Sequence, residues 1–194
     1  MRVALFGGSF NPPHVGHQMA ALYVLETAAV DALWFVPAFR HPFDKPLADF
    51  DDRMKMCELA AAALGPRAHV SDIERELGGP SRTLRTVQTV RRRYPDDVFS
   101  LVIGSDLVGE VDSWNGAAEL RRLISFVVVG RAGRGADAHP RSGGAVDIPD
   151  VNSTEIRATI GTGRRPVGLV PKSVLDYIAS RGLYGSPPPT RKVP

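Results

Sequence analysis

Gly7-Gly8-Ser9-Phe10-Asn11-Pro12-Pro13-His14-Val15-Gly16-His17 follows directly on the apolar run Val3-Ala4-Leu5-Phe6. The run reads as a short buried strand. Residues 18–29 come next, with Met19, Leu22, Tyr23 and Glu26 at helical spacing. Glycines, prolines and histidines therefore crowd a strand-to-helix turn, where an α/β sheet presents its ligand crevice. Glycine there lets backbone N–H groups approach a phosphate, and the helix N-terminus behind it favours negative charge. His14 and His17, three apart, fall on one face of the first helical turn and can donate to the same anion. Such a turn suits a nucleotide triphosphate.

Away from this turn, apolar runs recur with helical segments between them. Residues 3–6, 33–36, 69–71, 99–103 and 126–129 read as strands, and 18–29, 51–64, 83–94 and 117–123 as helices. The alternation predicts an α/β, Rossmann-like doubly wound fold: one mostly parallel sheet, right-handed crossovers and helices on both faces. No internal repeat or interior linker divides the chain, so residues 1–184 are expected to form a single domain. Residues 131–144, rich in Gly and Arg, read as a mobile surface loop. Beyond Thr154 the pattern is helical again, and after Pro171 Val174, Leu175, Ile178 and Ala179 share one face. Residues 185–194, with three consecutive prolines, are expected to be a disordered tail.

Composition narrows the class. A chain of 194 residues with 43% hydrophobic and 23% charged content can build one substantial core. No run approaches a membrane span, and the first residues enter a strand rather than a signal peptide. The lone Cys57 excludes a disulfide framework and a Cys-rich zinc site, which fits a cytoplasmic location. A net charge of +3 suits an anionic substrate. Without aromatic-basic stripes it predicts no nucleic-acid partner, and no membrane partner either. Oligomeric state is open, and a homo-oligomer is compatible with everything above.

A second signature stands near the far end: Val151-Asn152-Ser153-Thr154-Glu155-Ile156-Arg157. Ser153 or Thr154 can cap a helix whose free N–H groups bind a phosphate, and Arg157 returns one turn later on the same side. Its guanidinium can hold phosphate oxygens in a bidentate fork. The pair of signatures resembles the nucleotidylyltransferase superfamily, whose motifs are His/Thr-x-Gly-His and Ser-Thr-x-x-Arg. Within it the chain is most similar to the bacterial nicotinate-nucleotide adenylyltransferases. Pro80-Ser81-Arg82-Thr83-Leu84-Arg85-Thr86 resembles their Pro-Ser-Tyr-Thr-x-x-Thr segment; Tyr94-Pro95-Asp96, Ile103-Gly104-Ser105-Asp106 and Trp114 match further family features. Arg82 stands in place of a tyrosine, Ala117 in place of a second aromatic, and Phe39-Arg40-His41-Pro42-Phe43-Asp44-Lys45 departs from a Pro-Pro-His-Lys form.

The resemblance implies in-line attack by nicotinate mononucleotide, and with it nicotinamide mononucleotide as a second acceptor, on the α-phosphorus of ATP. It implies that His14 and His17 bind the triphosphate, and that Gly7, Gly8, Ser9 and Phe10 make backbone contacts to the nucleotides. Ser153, Thr154 and Arg157 would grip the leaving pyrophosphate, Lys45 would reach phosphates from its loop, and Gly104 and Asp106 would receive adenosine. Catalysis would rest on His14, His17 and Arg157. Trp114 and Thr83, with Ser9, Phe10 and Lys45, would bind the mononucleotide. Mg²⁺ is expected with ATP, bridging phosphate oxygens and keeping several waters. Plainer readings stand beside these. The histidines also suit a structural turn or two zinc ligands, Trp114 suits core packing, and Asp106, Thr83 or Ser153 suit helix caps. Lys45 also reads as an ordinary exposed lysine, and Arg91-Arg92-Arg93 as a solvated helix end. Alternatives for the whole chain are adenylyl transfer to phosphopantetheine and a non-catalytic nucleotide-binding protein of the same fold.

Overall fold

The computed structural model describes residues 1–41, 45–130 and 148–186. Its centre is a five-stranded sheet in the order β3-β2-β1-β4-β5, formed by β1 (Arg2–Gly8), β2 (Ala32–Pro37), β3 (Ala68–Val70), β4 (Val98–Gly104) and β5 (Ser125–Val129). Every pairing is parallel. A strand stands at each of the five expected places, β3 running over Ala68–Val70 rather than 69–71; the central strands are covered on both faces and so read as continuous apolar stretches.

Alternation along the strands divides the interior. Ala4, Leu33, Phe35 and Val102 face α1 (Val15–Thr27), where Ala20, Ala21, Val24 and Leu25 meet them, and Cys57 and Ala61 of α2 (Phe50–Ala61). Val3, Leu5, Val36, Phe99, Leu101 and Ile103 face the opposite layer, built by α3 (Ile73–Leu77), α4 (Thr83–Arg93) and α5 (Ala117–Leu123). A third cluster seats Met56 and Ala60 of α2 on α6 (Ser153–Gly161) and α7 (Lys172–Arg181), through Ile156, Ile160, Val174 and Ile178. Helices thus cover both faces, as the alternation of elements predicts. None of the described helices is long and apolar enough to cross a membrane.

Several boundaries differ from the sequence reading. Helix α1 begins at Val15 rather than at residue 18, so the histidine motif forms its cap and first turn. Its buried face is Gly16, Ala20, Ala21, Val24 and Leu25, whereas Met19 and Leu22 are 41% and 49% exposed. Small side chains let the helix lie close on the sheet, which outweighs the larger apolar residues on its other side. Residues 51–64 divide into α2 and a 3-10 turn, Ala62–Leu64. The short α3 and a nine-residue 3-10 segment, Ser105–Ser113, have no counterpart in the apolar periodicity. Gly185 closes a last 3-10 turn, Leu183–Gly185; residues 187–194 of the expected tail and the expected loop at 131–144 lie outside the described residues.

Strand order reverses between β1 and β4, so the crevice of this fold opens at their C-terminal ends. Gly7, Gly8 and Gly104 stand there.

Candidate functional site: two cavities and a clamp at the switch point

Leaving β1, the chain passes Ser9 and reaches Phe10, a non-glycine residue at φ +46. A left-handed phenylalanine costs about 1 kcal/mol or more. Burial of its ring, 1% exposed, offsets this. The ring lies so close over Gly8 that a Cβ there would stand 3.0 Å from Phe10 Cζ, so a side chain at position 8 would press on the buried ring. The Phe10 side chain is therefore part of the core and lines neither of the cavities beside this turn.

His14 is the N-cap of α1, and its backbone N–H donates to His17 Nδ1 at 3.1 Å. This is a capping box written with histidine at the N3 position. Because Nδ1 of His17 accepts, the neutral ring carries its proton on Nε2 and presents that N–H as a donor. The two rings stack with centroids 3.7 Å apart, and Phe10 meets His17 edge-on at 4.9 Å. Their orientation is thus held by the cap and by aromatic packing.

Two cavities flank this turn. One, of about 170 Å³, is lined by His14, His17, Gly104, Asp106 and the end of β5. The other, of about 250 Å³, is lined by Gly7, Gly8, Ser9, Glu74, Thr83 and Trp114. Gly7, Val102, Ile103 and Leu107 border both, so the two share a wall. A side chain at position 104 would place Cβ 2.2 Å from Asp106 Oδ1; glycine there is what lets the carboxylate fold back beside the strand end. In the larger cavity Glu74, 5% exposed, accepts the Thr86 hydroxyl one turn beyond Thr83.

The second signature closes over the first. Ser153 Oγ donates to the Pro12 carbonyl at 2.9 Å, and Arg157 Nη1 donates to the Asn11 carbonyl at 2.8 Å. Arg157 Nη2 also reaches Thr154 Oγ1 at 3.3 Å. The cap of α6 is Asn152, whose side chain accepts from the Glu155 N–H, so the expectation of a Ser153 or Thr154 cap is corrected. An Asn at that position takes the cap because only it has the extended backbone the role needs. The start of α6 is consequently tied to the Asn11–Pro12 stretch that leads into α1, so the free N–H groups of both helix N-termini lie near this turn.

Other expected residues line neither cavity. Lys45 is exposed and borders a separate hollow of about 570 Å³ beside α2, with Arg40, Asp49 and Arg181. Arg82 is the exposed N-cap residue of α4 and lines neither cavity. Burial pushes the Cys57 thiol far up, so it stays protonated and serves packing.

Three residues given no role in the sequence reading hold the site together. Asn11, 3% exposed, accepts the Ala48 N–H and the Tyr184 hydroxyl on Oδ1 at 3.0 and 2.8 Å. Burial pushes the Tyr184 phenol upward, keeping it a donor. Arg53, 1% exposed, bonds four backbone carbonyls, among them that of Ser9. The sequence does carry a signal for it: Arg53 lies on the same helical stripe as Met56, Cys57 and Ala60.

Comparison with known proteins agrees with this architecture. The cytidylyltransferase-like family matches residues 5–160. A probable nicotinate-nucleotide adenylyltransferase of Anaeromyxobacter dehalogenans is 45% identical over 185 residues, covering 94% of this chain and 96% of the relative. Relatives bearing the same name from Myxococcus xanthus and Thermus thermophilus are 40% and 37% identical, each over 95% of this chain and over 95% and 100% of their own. The structure of Plasmodium falciparum nicotinic acid mononucleotide adenylyltransferase complexed with NaAD superposes with a TM-score of 0.80 at 21% identity, covering 96% of this chain and 98% of that one. Fold, paired signatures and relatives agree: the chain belongs to the cytidylyltransferase-like family and, within it, to the nicotinate-nucleotide adenylyltransferases.

Proposed function

We propose that this chain transfers the adenylyl group of ATP to nicotinate mononucleotide, forming nicotinate adenine dinucleotide and pyrophosphate in NAD synthesis. The observation that carries the reading is the pair of cavities with a common wall, histidines in one and Trp114 in the other. ATP occupies the histidine cavity, with adenosine toward Gly104 and Asp106. The mononucleotide occupies the other, its ring against Trp114 and its phosphate at Gly7–Ser9. That placement brings the acceptor phosphate to the shared wall, facing the α-phosphorus. The relatives, all named for the nicotinate acceptor, favour it over phosphopantetheine.

An oxygen of the acceptor phosphate forms the new bond to the α-phosphorus, and the bond from that phosphorus to the β-bridging oxygen breaks. The attacking oxygen is already anionic, so no residue has to remove a proton. Positioning and neutralisation of charge supply the acceleration. His17 offers its Nε2–H to the reacting phosphoryl, with His14 beside it. Arg157 and the first amides of α6, at Ser153 and Thr154, receive the leaving pyrophosphate. A divalent ion such as Mg²⁺ would be brought by ATP and would neutralise charge on its phosphates; the imidazoles of His14 and His17, poor ligands for so hard an ion, would act as donors to phosphate instead. At the start of α4, Thr83 and the helix's positive end suit a carboxylate, which favours nicotinate over nicotinamide. Arg82, exposed outside both cavities, takes no part in it.

Trp114→Ala tests the assignment of cavities. Stacking on an aromatic side chain is worth about 1–3 kcal/mol per base. The KM for nicotinate mononucleotide is expected to rise about tenfold or more, with the KM for ATP within about twofold of wild type. An unchanged acceptor KM with a lowered melting temperature would assign Trp114 to core packing instead.

A further inference from the structure

We infer that Arg53 is a positioning residue for the mononucleotide: from behind the acceptor cavity it holds the wall's carbonyls turned away from the anion. Its guanidinium donates from Nε to Ala48 O at 2.9 Å, from Nη1 to Ser9 O at 3.1 Å and Ala38 O at 2.6 Å, and from Nη2 to Phe39 O at 3.1 Å. One side chain thus laces the end of the β1 turn to the loop after β2 and to the segment leading into α2. Among the described residues no carboxylate pairs with it. Its neighbour Asp52 takes the Tyr177 hydroxyl and Arg181 instead. A buried cation held mainly by carbonyl dipoles, with the Phe50 ring 5.3 Å from its centre and Asp49 nearby, is costly unless its fork geometry is satisfied, and here all three nitrogens donate.

Ser9 and Ala38 line the acceptor cavity, whereas Arg53 does not. The carbonyls of both residues therefore point out of the cavity, toward the guanidinium. In a planar trans peptide the following N–H points the opposite way. The Phe39 N–H accordingly finds Ser81 Oγ at 2.9 Å, and Ser81 itself borders the cavity. Without Arg53 the Ser9 and Ala38 peptides lose what fixes their sense, and an electronegative oxygen turned inward would repel a bound phosphate. Neither Ser9 nor Ala38 lines the histidine cavity, so the effect falls on one substrate.

The inference rests on the assignment of this cavity to the mononucleotide. Arg53→Lys keeps the charge without the fork, and Arg53→Gln keeps a planar donor without the charge. In both, the KM for nicotinate mononucleotide is expected to rise at least about tenfold while the KM for ATP changes less than about threefold. A purely structural role would lower the active fraction, reducing kcat with both KM values unchanged, and that result would overturn the inference. Equal increases in the two KM values would overturn it as well. An acceptor KM that responds to Trp114→Ala but not to Arg53→Lys refutes the role of Arg53 alone. Insensitivity of that KM to Trp114→Ala refutes the cavity assignment beneath it.

Discussion

His17→Ala is expected to reduce kcat by about 10²–10³-fold, the usual loss when one preorganised donor to a developing anionic charge is removed. Stability should change little. The residue is half-buried, and its main structural contributions are the cap hydrogen bond from the His14 N–H to Nδ1 and ring contacts with His14 and Phe10. Such a bond is worth about 1 kcal/mol, a drop of about 2–4 °C in melting temperature for a chain of this size. The edge-on contact with Phe10 adds a little to that. Thermal unfolding and steady-state kinetics on the same preparation separate the two roles. Near-normal turnover with a much lower melting temperature would assign His17 to the helix cap alone.

Arg157→Ala is expected to lower kcat/KM for ATP by about 10–100-fold, with the KM for the mononucleotide little changed. Two losses combine. A charge-assisted contact to the leaving pyrophosphate disappears, worth about 1.5–3 kcal/mol. The Asn11 carbonyl also loses its donor at 2.8 Å, which loosens the stretch joining the two signatures. Arg157→Lys separates these contributions: it restores positive charge without the fork, so an intermediate rate is expected. Unchanged ATP kinetics in Arg157→Ala would remove the residue from the phosphate clamp and leave it a tie between α6 and the N-terminal turn.

What the sequence disclosed follows from which forces are local. Central parallel strands are covered on both faces, so the cores at 3–6, 33–36 and 99–103 are legible as apolar runs. The start of α1 is not legible in the same way. Its cap is a histidine pair rather than Ser, Asp or Asn, and its buried face uses Gly16, Ala20 and Ala21, whose small size hides the stripe. The 3-10 segment Ser105–Ser113 has no 3.6-residue period to find, yet Leu107 from it lines both cavities. At the site, Gly7, His14, His17, Gly104 and Asp106, which the motifs pick out, line one cavity, and Thr83 and Trp114 line the other. Residues that tie one segment of the site to another carry no such motif. Asn11, Arg53 and Tyr184 contribute bonds to segments distant in sequence, and only the folded chain brings those partners together. Lys45, which the family resemblance implies reaches phosphates, lies in the structure beside α2 and borders neither cavity.

In the proposed reaction the adenylyl group moves from ATP to the phosphate of nicotinate mononucleotide across the shared wall. The most direct test incubates the protein with Mg²⁺, nicotinate mononucleotide and ATP labelled at the α-phosphate, and separates the products by chromatography. The label is expected in nicotinate adenine dinucleotide, with unlabelled pyrophosphate in equal amount, and transfer to nicotinamide mononucleotide is expected to be slower. Absence of labelled dinucleotide with either mononucleotide, while ATP still binds, would contradict the account and leave a nucleotide-binding protein with this fold.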